Sequence, residues 1–112
     1  MTRQQVATMI ASVGLPYAYD HFEETENPGH PPFICFLYPD SAGFYADNVN
    51  YAPVERLVIE LYTDNIDFAL EESIQNALND AELAYSYSRE WIEDERMYQT
   101  TYNTEVLINV PD

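Results

Sequence analysis

Lysine is absent from this chain of 112 residues, and four arginines face twenty Asp and Glu, for a formal net charge of -16. That balance excludes ordinary nucleic-acid binding, because neutralising phosphates needs a cationic face. It also argues against docking on anionic membranes. What it leaves open is a basic protein partner, a cation site, a DNA-mimic surface, or a surface that must not stick to DNA. Cysteine occurs once, at Cys35, so no internal disulfide can form. Glycine occurs three times, and none of the three is spaced for a phosphate-cradling loop. No apolar stretch approaches the ~18 residues a membrane-spanning helix needs. The opening Met-Thr-Arg-Gln-Gln leads into an amphipathic segment and not a signal peptide, so the chain reads as cytosolic in origin.

What is present is enough apolar residue, 46%, to build one core, and a chain of this length fits one domain over 1–112. Ten tyrosines accompany five Phe and one Trp. Tyrosine joins an apolar body to a polar tip, which suits half-buried sheets and protein interfaces. The first element, within 1–14, is a helix from Thr2 to Val13. Thr2 and Gln5 form a capping box, and Val6, Met9, Ile10 and Val13 fall on one stripe. Gly14 suits the left-handed position after a helix end, and Pro16 prevents a restart. Residues 15–32 read as a long irregular acidic loop with Pro16, Pro28, Pro31 and Pro32, the sort of connection that is often functional.

From 33 to 110 the pattern is sheet, interrupted by a second helix over 66–79. Phe33 to Tyr38 is an unbroken apolar run, as a strand covered on both faces requires. Phe44–Ala46 and Val49–Tyr51 flank Asp47-Asn48, a pair that favours a tight hairpin. Val54 to Tyr62 alternates, with Leu57, Ile59 and Leu61 on one face. Thr63-Asp64-Asn65 caps the second helix, whose inward residues are read as Ile66, Ala69, Leu70, Ser73, Ala77 and Leu78. Ala84 to Ile92 alternates again, with Tyr85, Tyr87, Arg89 and Trp91 together. After the turn Glu93–Arg96 comes a last strand with Tyr98, Thr100, Tyr102, Thr104, Val106, Ile108 and Val110 on one face. The predicted fold class is α+β: a mostly antiparallel sheet of about five strands with two helices on one face, in the order α-β-β-β-α-β-β. The other face should be rich in Tyr, Thr, Arg and Glu.

Few residues carry a chemical signal. Carboxylate pairs are so frequent at this acid density that none is informative. Asp20, His21, Glu23, Glu24, Glu26 and His30 could surround a cation if their loop folded back, but the spacing matches no ligand motif and a solvated acidic loop explains it as well. Cys35 sits in an apolar run that should raise its pKa and make it an inert packed thiol. Catalytic, cofactor-binding and metal-ligating residues are all expected to be absent. Tyr85, Tyr87, Trp91, Tyr98 and Tyr102 are more telling, at alternating positions of two adjacent strands. They either pack under a helix or face another subunit, and both hold if the row runs from core to interface. Tyr17, Tyr19, His21 and Phe22 in the long loop join them as interface candidates.

Several phrases resemble a family of small proteins encoded in prophages of Gram-positive bacteria. They are Gly14-Leu15-Pro16-Tyr17-Ala18-Tyr19-Asp20-His21-Phe22, Pro31-Pro32-Phe33-Ile34-Cys35-Phe36-Leu37-Tyr38, Glu60-Leu61-Tyr62-Thr63-Asp64, Glu90-Trp91-Ile92 and Met97-Tyr98-Gln99-Thr100. Those proteins usually lie among the head–tail joining and tail genes of long-tailed phages and look like tail terminator, or tail completion, proteins. The resemblance implies a structural virion protein at the neck or tail end, in the host cytoplasm before assembly. It implies a homo-oligomeric ring, usually hexameric, that sits on the major tail tube protein, stops polymerisation and docks the head–tail connector protein. DNA would pass through that ring without specific binding, and Glu93, Asp94 and Glu95 are candidates for a lumen that repels phosphate. No enzymatic activity comes with the resemblance. Two other readings stand beside it: a head-closure or adaptor protein of the neck, and an acidic DNA mimic that inhibits a host DNA-binding protein.

Overall fold

A computed structural model describes residues 1–23, 28–42, 44–46, 49–52 and 54–108, with 44–46 and 49–52 described as backbone. Helix α1 spans Arg3–Ala11. The capping box forms as expected: the Gln5 amide donates to Thr2 Oγ1 at 3.0 Å, and the Thr2 amide donates to Gln5 Oε1 at 2.8 Å. Gly14 follows at φ 89°, a left-handed conformation that glycine adopts without steric cost. Strands β1 (Tyr17–Tyr19) and β2 (Phe33–Leu37) come next, then the hairpin β3 (Phe44–Ala46) and β4 (Val49–Ala52), then β5 (Val54–Thr63). Helix α2 (Phe68–Asp80), β6 (Tyr85–Ile92) and β7 (Met97–Leu107) complete the order. The α+β class and the five-stranded, mostly antiparallel sheet with two helices are as the sequence predicts.

The sheet order is β1-β2-β5-β7-β6. All its pairings are antiparallel except β1 with β2, which run parallel. Strand β1 lies inside the segment read as an irregular loop. It is held by its pairing to β2, a non-local contact that its three residues do not announce. The hairpin β3–β4 forms a separate two-stranded sheet. Its expected turn at Asp47-Asn48 lies outside the described residues, as do Glu24, Glu26 and Val110.

The core lies between the two helices and one sheet face. Val6 and Ile10 of α1 and Ile74 and Leu78 of α2 close over Ile34, Leu57, Ile59, Leu61, Tyr102 and Val106. Leu57, Ile59 and Leu61 share the face the alternation assigns them, and all three are fully buried. Ile34, Cys35 and Phe36 are buried in succession, so β2 is covered on both faces as its unbroken apolar run predicts. The Tyr and Thr row of β7 shares one face as predicted, and that face is the one under the helices. Thr100 and Thr104 are buried there, with Thr104 Oγ1 donating to the Ala84 carbonyl at 2.6 Å. One expectation is corrected: helix α2 is rotated from its expected phase. Its cap is Asp67, whose carboxylate accepts from the Leu70 amide at 3.1 Å. The helix then buries Glu71, Ile74 and Leu78, while Ile66, Ala69 and Ser73 are exposed.

Candidate subunit interface

The buried Glu71 explains the rotation. It faces Arg89 of β6 in a two-pronged pair, with Arg89 Nε donating to Oε2 at 2.8 Å and Nη2 to Oε1 at 2.6 Å. Thr100 Oγ1 donates to Glu71 Oε2 at 3.1 Å, and Tyr102 Oη donates to the Glu71 carbonyl at 3.3 Å. A carboxylate only 3% exposed is tolerated because a guanidinium and a hydroxyl satisfy it. The hydrogen bonds to Glu71 in turn raise the Arg89 pKa and fix its charge. The sequence pattern does not announce this cluster. Its signal was an acid in one inward stripe and a base on the matching face of a strand.

Arg89 carries the network to the surface. Its guanidinium lies 5.3 Å from the Phe68 ring centroid and 5.1 Å from that of Tyr87. The candidate aromatic row starts in the core and ends here. Tyr102, an interface candidate, is fully buried, and burial pushes its phenol up to about 12. It is corrected to a core residue, because β7 sits between β5 and β6 beneath α2. Tyr85 and Tyr98 are partly buried against the same layer. Tyr87 packs 5.6 Å from Tyr102 and Trp91 packs 4.9 Å from Tyr98, yet they are 45% and 39% exposed. With Phe68, 68% exposed, they form an aromatic margin along β6, the strand that ends the sheet. Eight residues is long for an edge strand, and its outward backbone groups are a template for pairing with another chain.

At the opposite edge, Tyr17 and Tyr19 of β1 are exposed but built in differently. Tyr19 meets the Phe36 ring edge-on at 5.5 Å, and its hydroxyl accepts from the Tyr38 amide at 3.0 Å. His21 and Phe22 lie apart from both aromatic margins, on the open sheet face. Phe22 meets Phe33 edge-on at 5.5 Å, and Phe33 stacks on Tyr62 at 4.9 Å. This aromatic run floors a cleft of about 340 Å³ that Cys35 and Met97 also line. Asp20, His21 and Glu95 stand at the same cleft. The structure therefore brings Glu95, a lumen candidate, together with two interface candidates. Glu93 is held instead by the Trp91 indole N–H and by Arg96 at 3.1 Å, while Asp94 is exposed.

Burial, with Glu60 and Asp20 nearby, pushes the Cys35 thiol up to about 11, an inert packed group at neutral pH. His21 sits 2.9 Å from Asp20 and 3.5 Å from Glu23, and those carboxylates raise its pKa. His30 instead bonds the Pro31 carbonyl at 2.9 Å. Among the described residues no group of three or more His, Cys, Asp or Glu is placed to hold a metal, and no helix is long and apolar enough to cross a membrane. Each arginine lies against a carboxylate of its own chain: Arg3 with Glu55 at 3.8 Å, Arg56 with Asp40 at 3.3 Å, Arg89 with Glu71 and Arg96 with Glu93.

No protein-family model and no curated protein sequence matches the chain. Among solved structures, it is similar to a chain from the virion of a native gene transfer agent (GTA) particle, with a TM-score of 0.57 and 19% sequence identity. The match covers 90% of this chain and 85% of the other, so the two share a fold over nearly their whole lengths.

Proposed function

We propose that this chain is a structural protein of a long-tailed phage or prophage virion, and within it the tail terminator. In that role it forms a ring on the end of the tail tube, stops polymerisation and joins the head connector. The observation that carries the reading is the shared fold, over 90% of the chain, with a component of a virion particle. The phrases that resemble prophage tail proteins point the same way. The chemistry is compatible with a non-enzymatic part: the cysteine is packed away, and the buried ion pair is satisfied by its own neighbours.

A ring needs a heterologous interface, in which one surface of a subunit meets a different surface of the next. We assign one half of it to the β6 edge with Tyr87, Trp91 and Phe68. Aromatic anchors in such a margin supply most of the binding energy of an interface. The four arginines being paired within the chain leaves the ring surface strongly acidic, which suits a path that DNA crosses without adhering.

Deleting the gene from an inducible prophage and imaging the lysate by negative stain tests the reading. Overlong tails without heads are the expected result. Heads that lose DNA beside tails of normal length would assign the chain to head closure instead. Intact particles would remove it from the junction.

A further inference from the structure

A second surface has a chemistry of its own. The cleft on the open sheet face has an apolar floor, Phe22, Phe33, Cys35 and Met97, with the Tyr62 ring beside them. Carboxylates stand around it. Asp20 and Glu95 line it, and Glu60 is the cross-strand partner of Cys35 on the same face. Asp20 is close enough to Glu60 to raise its pKa further, on top of the burial that is the main cause. Among the described residues that line the cleft, His21 is the only basic group, and it is already engaged by Asp20 and Glu23. An apolar slot with an anionic rim fits a side chain with an apolar stem and a cationic head. A guanidinium can also stack on the aromatic floor.

We propose that this cleft binds an arginine-bearing extended segment of a different protein. Charge complementarity selects that occupant. A second copy of this chain is a poor one, because it has no lysine, its four arginines each face their own carboxylates, and it would add another charge of -16. The cleft lies on the open face and the aromatic margin of β6 on the helix face, so a ring contact and this partner can be accommodated together. The inference does not depend on the ring: it concerns the isolated subunit.

The probe is the blocked peptide acetyl-Gly-Leu-Arg-Leu-Gly-amide, titrated into the ¹⁵N-labelled full chain at low salt. Its partner probe carries citrulline in place of arginine, the same shape without the charge. The expected result is saturable shifts of the Phe22, Cys35, Tyr62 and Met97 amides with the arginine peptide, and much weaker shifts with citrulline. Asp20→Asn and Glu95→Gln should each weaken binding about two- to fivefold, the scale of one exposed charge pair. Asn tolerates the left-handed backbone at position 20, where φ is 66°, so the first variant keeps the loop. Equal binding of both peptides would overturn the proposal, as would the absence of shifts. Shifts spread equally over Glu72 of α2 and Glu82 in the turn after it, neither of which lines the cleft, would also overturn it. So would cleft shifts that follow protein concentration without peptide, which would make the occupant a second copy.

Discussion

Glu60 shows how much one side chain's surroundings can set. It is half-buried on the open sheet face, and its Oε1 accepts from the Tyr62 hydroxyl at 3.1 Å. Burial raises its pKa above the ordinary 4.5, and the Tyr62 hydrogen bond only partly offsets this. A carboxyl whose folded pKa is raised binds its proton more tightly in the folded state. Stability therefore falls as pH rises from 4.5 through the raised value, and stays lowered above it. Glu60→Gln removes that loss. The variant should melt at a higher temperature than the parent at pH 7, and the gap should close below pH 4.5, as calorimetry across that range would show. Tyr102 gives the opposite case. It is fully buried and fills the space under α2, so Tyr102→Ala should cost about 3–5 kcal/mol in urea unfolding, the scale for losing a large buried ring.

At the scale of elements, β6 divides into structure and surface. Arg89 ties it to α2, whereas Tyr87 and Trp91 project from its margin. At about 1 M salt, where the charge repulsion is screened, Trp91→Ala and Tyr87→Ala should leave the urea midpoint close to the parent's while shifting sedimentation from the proposed oligomer to monomer. Loss of folding in both would mean that the margin is core and not contact. What could be read in advance follows from range. Thr2 with Gln5, Gly14 after α1, and the alternation Leu57, Ile59, Leu61 are patterns within a few residues, and each appears as predicted. Strand β1 depends on a partner seventeen residues away, so its three residues carry no local signal of it. The phase of α2 depends on Arg89, eighteen residues from Glu71, so the apolar stripe alone placed Ile66 and Ser73 on the wrong side. The aromatic row was legible as a row. Its division into a buried Tyr102 and exposed Tyr87 and Trp91 required knowing that β6, and not β7, ends the sheet.

For the whole molecule, charge is the dominant fact. A formal -16 on 112 residues makes subunits repel one another, and the screening length falls from about 10 Å at 0.1 M salt to about 3 Å at 1 M, so salt weakens that repulsion. Self-association should therefore strengthen as salt rises, the reverse of an interface built on ion pairs, and sedimentation at the two salt concentrations would show it. In the proposed tail-terminator role, the same repulsion would keep free subunits apart until a tube end recruits them. A map of the head–tail junction of the virion tests the central proposal most directly. A ring of this chain on the last tail-tube ring, with the β6 margin in the contact between neighbours, is the expected result. A junction without this chain, or a ring in which Tyr87 and Trp91 face solvent, would contradict it.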